Sequence, residues 1–356
     1  MNQIERIRAE LIARNLDAIL ITDEKNQRYA AGFPFTDGAV LVGKEKAFLI
    51  TDSRYIEAAN QQAEGVDVRL FDRERPLGAR LSEAVRELGA KKLAAEDQKL
   101  SHAAFLAWEK KLGVKLESAG DLFIRLRAVK TEEEIASMIR AQRISEKALE
   151  EVLPLIRPGM TEREVAAELV YRMLRNGSEG NSFDPIVVTG SKTSMPHGVP
   201  GDKVIQKGDF VTMDFGCLKD GYCSDMTRTV AVGSATDEMK NVYAVVLKAQ
   251  LAGIAAAKAG VLGRDIDAAA RKVIADAGYG EYFGHGFGHC LGLDIHEPPT
   301  AGPGGKAPMP AGCVSSAEPG IYLPGRFGVR IEDVMIIRET GVEVITRAPK
   351  DELIIL

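Results

Sequence analysis

The strongest constraint on the fold of this chain is a repeat in its C-terminal part. Leu155-Ile-Arg-Pro-Gly159 leads into a helix marked by the capping pair Thr161 and Glu164 and ending at Gly177. Ala256-Ala-Lys-Ala-Gly260 leads into a second helix over Ile266-Asp-Ala-Ala-Ala270 that ends at Gly278, with the same glycine-to-glycine spacing. After a connecting region, each copy has a glycine followed six positions later by a carboxylate: Gly208 with Asp214, and Gly312 with Glu318. A return arm then carries a second acid, Asp225 or Glu332. Agreement that ends on paired carboxylates predicts two similar half-domains, each presenting one acidic hairpin to a shared site.

The first hairpin can be registered from sequence. Phe210, Val211, Met213 and Phe215 form an apolar, β-favouring arm, Asp220-Gly221 suits a two-residue type I′ turn, and Tyr222 begins the return. Lys219 then pairs with Tyr222, Gly216 with Asp225, and Asp214 with Thr227. Asp214 and Asp225 thus share one face as a diagonal pair, about 7–8 Å apart at Cα. Carboxylates this close repel unless a cation lies between them or one holds a proton, and a metal ion is the natural candidate. A solvated hairpin with its acids in water would sit poorly with the apolar arm. In the second hairpin, a two-residue turn at Pro324-Gly325 would put Glu318 and Glu332 on opposite faces. A longer, odd-numbered loop or a bulge is therefore expected there.

Between the hairpins, Phe283 to Glu297 holds three of the five histidines. Leu291, Leu293 and Ile295 alternate as in a buried strand, and His289 would lie on their side, facing inward. The glycines of this stretch lack the GxGxxG spacing of a dinucleotide site. Asp214, Asp225, His289, Glu318 and Glu332 together make a mainly oxygen donor set, suited to Mn²⁺, Co²⁺, Fe²⁺ or Zn²⁺ rather than to a thiolate-bound structural zinc. Four negative charges exceed the needs of one divalent ion. Two ions about 3.5–4 Å apart would balance them and generate hydroxide at neutral pH.

The preceding part of the chain reads differently. Ile4, Ile7, Leu11 and Ile12 predict an amphipathic helix facing a core. Strand-like runs at 18–22, 39–43, 47–51 and 66–71 alternate with helices near Tyr55–Ala63 and Leu77–Leu88, as in an α/β domain. Asp52, Arg54 and His102 are its only polar residues of interest, and no catalytic cluster precedes residue 120. Thr131 and Glu134 form a capping box, which places a boundary between an N-terminal α/β domain, 1–128, and an α+β catalytic domain, 129–356. The net charge of −5 and the lack of a basic run argue against a nucleic-acid partner. No signal peptide or membrane-length apolar stretch is seen. Cys217, Cys223, Cys290 and Cys313 have no metal or redox spacing, which points to a reducing, cytoplasmic setting.

With these residues in view, the chain resembles the pita-bread metallopeptidases, and within them the Xaa-Pro aminopeptidase and prolidase branch. MDFGCLKDGYCSDMTRT, GHGFGHCLGLDIHE, SAEPGIYLPG and VRIEDVMI resemble the family's ligand motifs in order, and NQRYAAGF with ITDSRY resembles the N-terminal domain of that branch. The resemblance implies that Asp225 and Glu332 bridge two divalent ions, Mn²⁺ first among candidates, that Asp214 completes one ion, and that His289 with Glu318 completes the other. It implies that His197 and His296 face the substrate, a proline-containing peptide, and that Glu318 handles a proton. Thr227 and Arg330 are expected beside the acids, and a homodimer is expected. Cys290 stands where many members have glycine, placing a thiol near the site. No arginine follows His296-Glu297 as in some dipeptide-specific prolidases, which favours an aminopeptidase over an Xaa-Pro dipeptidase. A metal-free peptide-binding protein and a creatinase-like C–N hydrolase are the two competing functions.

Overall fold

The computed structural model describes residues 2–356. They fall into two compact units, one ending at Leu126 and the other spanning Arg127–Leu356. The N-terminal unit is a six-stranded mixed sheet in the order Asp67–Leu70, Ala47–Thr51, Gly38–Gly43, Ala18–Ile21, Leu93–Ala95, Leu116–Ser118. Its four longer strands fall where the apolar runs place them. The last two have three residues each, too short to show a period, and the sequence reading missed them together with the helices Glu24–Ala31 and His102–Leu112. Helix Gln3–Ala13 buries Ile4, Ile7 and Leu11, but Ile12 is 65 % exposed. Adjacent helix positions point about 100° apart, so Leu11 and Ile12 cannot both face the core. Asp52 and Arg54 form an exposed ion pair, and His102 is an exposed residue at a helix start.

The C-terminal unit opens with helix Glu132–Val152, capped by Thr131 and Glu134 as expected. Helices Glu162–Arg175 and Gly263–Asp276 have 14 residues each, matching the repeat. In the first half, Ile186–Thr189, Phe210–Phe215 and Met226–Ala231 form one antiparallel sheet. In the second half, Gly288–Cys290, Val314–Ala317 and Asp333–Arg338 are the corresponding strands of a five-stranded sheet. Each half has its own core. Val187, Val211, Met213 and Phe215 pack with Leu149, Val165 and Leu169 in the first, and Phe287, Ala317, Met335 and Ile337 pack with Val246, Ile266 and Ile274 in the second. One apolar sheet face thus meets helices, and the acids need not enter either core.

Both hairpins have the expected parity. Lys219 pairs with Tyr222, and Asp214 with Thr227, around a turn in which Asp220 and Gly221 have φ of 52° and 77°. Two positive φ values define the type I′ turn. Glu179 accepts from both turn amides, at 2.8 and 2.9 Å. In the second hairpin Leu323 pairs with Phe327, so the loop is Pro324-Gly325-Arg326, with Gly325 at φ 72°. The pairs Gly320 with Arg330 and Ala317 with Asp333 lie in one register on either side of Glu318 and Glu332, which therefore face each other.

Candidate metal centre

The two hairpins and the Gly288–Cys290 strand bring the five residues named from sequence to the base of one cleft of about 600 Å³, which His197, His285, His296 and Arg330 also line. Ligand atoms of Asp225, His289 and Glu332 lie within 4.8 Å of one another. The Nε2 of His289 is 3.3 Å from Glu318 Oε1 and 3.6 Å from Asp225 Oδ2. Its Nδ1 donates to the Cys290 carbonyl at 3.1 Å, which orients the ring so that Nε2 is the nitrogen facing the acids.

The acids are held from behind by hydrogen bonds. Thr227 donates to Glu332 Oε2 at 2.7 Å and accepts from Arg330 Nε at 3.0 Å. Arg330 Nη2 donates to Asp214 Oδ2 at 2.5 Å, and its Nη1 donates to the Tyr322 hydroxyl at 2.8 Å. Thr227 and Arg330 thus stand where the sequence reading put them. Ser316 donates to Glu318 at 3.0 Å and accepts from the His289 amide at 3.0 Å. Buried Arg228 fastens the two hairpins, donating to the Glu332 carbonyl at 2.6 Å and to Asp333 at 2.8 Å.

One oxygen on each of Asp214, Asp225 and Glu332 is buried and receives no hydrogen bond from the described residues. A buried carboxylate oxygen left this way is costly unless a cation meets it. Protonation shows the same frustration. Burial and then the charge of Asp214 push the Asp225 carboxyl well up, burial and then Asp225 do the same to Glu332, and burial raises Asp214 despite Arg330. Burial would also raise Glu318, but the hydrogen bond and charge of His289 outweigh it and hold that carboxyl at about 2. Burial would lower His289, but Glu318 and then Asp225 raise it to about 9. Unmet oxygens, crowded acids and an oriented imidazole make a donor set that fits divalent metal ions.

The predicted strand through Leu291, Leu293 and Ile295 does not form. Register shifts between His289 and Cys290, pairing ends there, and residues 291–296 make irregular bends. Leu291 and Leu293 are buried nonetheless, so the alternation reported burial rather than a ladder. His296 sits on this bend, its ring centroid 4.3 Å from that of His289, and His197 lies on the loop after Gly190–Ser194. Cys290 is fully buried in the core of the second half and does not line the cleft, while Leu291 packs in a separate cluster with Ile135, Val334 and Ile336. Three residues beside the acids escaped the sequence reading: Ser316, Tyr322 and His285, whose Nε2 is 2.8 Å from the Tyr322 hydroxyl. His285 stood in the same glycine- and histidine-rich run, whereas Ser316 and Tyr322 carry no signal of their own.

Residues 136–339 match metallopeptidase family M24, and residues 3–129 match the creatinase/prolidase N-terminal domain. The chain belongs to metallopeptidase family M24. It has the pita-bread fold with a creatinase-type N-terminal domain, and the family implies divalent metal ions. A solved Xaa-Pro dipeptidase from Bacillus anthracis is 44 % identical with a TM-score of 0.94, covering 99 % of each chain. An X-Pro aminopeptidase from Thermotoga maritima is 38 % identical with a TM-score of 0.92, covering 96 % of this chain and 98 % of its own. An Xaa-Pro dipeptidase of Pyrococcus horikoshii is 34 % identical over 99 % of both chains.

Proposed function

We propose that this M24 metallopeptidase is a dimetal Xaa-Pro aminopeptidase, hydrolysing the bond between an N-terminal residue and a following proline in peptides longer than two residues. The observation that carries the reading is the group of three buried carboxylate oxygens, without a donor among the described residues, beside His289 and Glu318 in an open cleft. A metal-free binding protein would leave those oxygens unmet. Asp225 and Glu332 would be shared by two divalent ions, Asp214 would complete the set of one, and His289 with Glu318 would complete that of the other. Mn²⁺ suits this oxygen-rich set, and Co²⁺, Zn²⁺ and Fe²⁺ are the next candidates.

Divalent ions bound there supply Lewis acidity and lower the pKa of water toward neutrality. Glu318 takes the proton lost by the attacking water on its carboxylate and returns it to the proline nitrogen as the C–N bond breaks. His197 and His296 donate hydrogen bonds to the carbonyl oxygen as it gains negative charge. An X-Pro bond has no N–H, so a site that grips the carbonyl suits it.

The charges on the cleft walls support the reading for longer peptides. Arg330 is committed to Asp214, Thr227 and Tyr322, while burial pushes His285 down, and partial desolvation at the cleft wall followed by the charge of His289 pushes His296 down although much of its surface stays exposed. Neither histidine is then a cation for a free prolyl carboxylate at neutral pH. Past His197 and His285 the cleft adjoins a second opening of about 640 Å³, lined by Glu281, Tyr282 and Pro324. A homodimer is proposed from the family resemblance.

The test compares Gly-Pro with Gly-Pro-Xaa peptides on metal-loaded protein, with metal content measured in parallel. Turnover of the tripeptides at least about tenfold above the dipeptide is expected, since a carboxylate left without its charge partner loses about 1.4 kcal/mol or more. Preference for Gly-Pro would make the enzyme a dipeptidase instead. No hydrolysis with Mn²⁺, Co²⁺ or Zn²⁺ would remove the peptidase reading.

A further inference from the structure

The bend that carries His296 is anchored by four buried or half-buried charges that the metal site does not use. Arg127 donates through Nη2 to Asp294 Oδ2 at 2.6 Å and also to Glu297 Oε1. Lys130 Nζ donates to Glu297 Oε2 at 2.9 Å, and the Asp294 amide donates to Glu297 Oε1 at 3.1 Å. Arg127, Lys130 and Glu297 are 7 %, 6 % and 6 % exposed. Gly292 lies so close to this carboxylate that a Cβ there would sit 2.8 Å from Glu297 Oε2.

Stability alone does not account for such a group. Removing four charges from water is costly, and apolar side chains of similar volume commonly serve the folded state as well. What a satisfied ionic group does provide is one conformation in place of several. Residues 291–296 need that, because strand pairing ends at Cys290 and His296 itself is exposed. Glu297 is the next residue along, so holding its carboxylate fixes the backbone from which the imidazole departs.

The other histidine assigned to the substrate is held in a parallel way. Glu162, fully buried, accepts from the Thr189 amide at 2.9 Å, the Gly201 amide at 3.0 Å and Lys192 Nζ at 2.6 Å, bracketing the loop that bears His197. In both places a buried carboxylate accepts from a lysine and from backbone N–H, two amides at Glu162 and one at Glu297, close in sequence to an exposed histidine.

We propose that Arg127 and Lys130, acting through Glu297, are positioning residues for His296. The inference rests on the reading of His296 as a donor to the substrate carbonyl. Partners that orient a functional group in this manner change activity by about 10- to 100-fold when removed.

The experiment uses full-length, metal-loaded protein, a Gly-Pro-Xaa substrate, and Lys130→Met and Glu297→Gln, each alone and combined with His296→Ala. Each single substitution is expected to lower kcat/KM about 10- to 100-fold with metal content unchanged. In the His296→Ala background the same substitution is expected to change kcat/KM by no more than about 2-fold, because its effect runs through a side chain already gone. An equal loss in both backgrounds, a loss that tracks falling metal content, or wild-type kcat/KM in the single variants would overturn the proposal. Glu297→Gln keeps the size of the side chain and decides the question if Lys130→Met does not fold. Wild-type turnover by His296→Ala alone overturns it too, but at the role of His296 rather than at the anchor.

Discussion

Replacing Asp225 with asparagine should raise the stability of the metal-free enzyme while removing its response to metal. Asp225 is 3 % exposed, its Oδ1 has no donor among the described residues, and His289 Nε2 lies 3.6 Å from its Oδ2, beyond a good hydrogen bond. A buried acceptor left unmet costs about 1–3 kcal/mol, and repulsion from the neighbouring acids adds to that. Asparagine keeps the shape, removes the charge and brings an N–H₂ group among carboxylate oxygens that lack donors, Asp214 Oδ1 and Glu332 Oε1. The metal-free variant should therefore gain about 1–3 kcal/mol, read as roughly 2–4 °C in Tm for each kcal/mol in a unit of 150–250 residues. Metal binding works the other way. At a thousandfold excess over Kd a ligand stabilises by about 4 kcal/mol, and the substitution should abolish most of that shift, because it takes an anionic oxygen from the centre of the donor set. The assay is thermal unfolding of chelator-stripped and Mn²⁺-loaded protein, wild type beside variant. A metal-free Asp225→Asn protein that melts below the wild type, or one that keeps the full metal shift, would refute the argument that this acid is held in place for a cation.

Two further outcomes follow from the same site. Asp225 and Glu332 are pushed up, so their contribution to metal-free stability is present below the ordinary carboxyl range of about 4 and is lost as pH rises through their folded values. His289, at about 9, acts in the same direction above about 6.5, so the Tm gap between metal-loaded and metal-free protein should widen from about pH 5 to 9; a constant gap would contradict the assignment. Arg228→Met removes the guanidinium that joins the two hairpins and leaves Asp333 with Lys350 alone, so equilibrium denaturation should show a loss of about 3–5 kcal/mol; a loss below about 1 kcal/mol would show that the hairpins hold their register without it.

Much of the site was legible because its acids lie on hairpins, where turn chemistry fixes register locally. Asp220-Gly221 determined which residues oppose each other over the next several pairs, and the demand that Glu318 and Glu332 share a face predicted the odd loop that is found. Three of the N-terminal strands were legible because four consecutive apolar residues leave little choice, and Asp67–Leu70 because apolar and charged residues alternate there. What could not be read are contacts whose partners are remote. Arg127 and Lys130 meet Glu297 across 170 and 167 positions, and neither has any local feature that distinguishes it from a surface cation. The irregular bend after Cys290 was missed for the same reason. Alternating leucines report that alternate residues are buried, whereas the contacts that accompany the bend, such as the Cys223 amide on the Gly292 carbonyl and Arg127 and Lys130 on Glu297, come from distant parts of the chain.

The repeat also explains why the two halves contribute unlike parts to the site. The first hairpin turns in two residues and sets Asp214 opposite Thr227, with Asp225 one step along the same face. The second turns in three and sets Glu318 opposite Glu332 directly. Had both used two residues, Glu318 would oppose Ile331, and Glu332 would face away from the cleft. Counted from its turn, the second acid lies two positions further along the return arm in the second hairpin than in the first, so Glu332 opposes Glu318 where Thr227 opposes Asp214. The hydroxyl is not idle: Thr227 reaches across at 2.7 Å to Glu332 and takes a hydrogen bond from Arg330, which in turn holds Asp214. Two acids from different halves are thus oriented by one linked pair, Thr227 on Glu332 and Arg330 on Asp214, and each keeps one buried oxygen without a donor among the described residues.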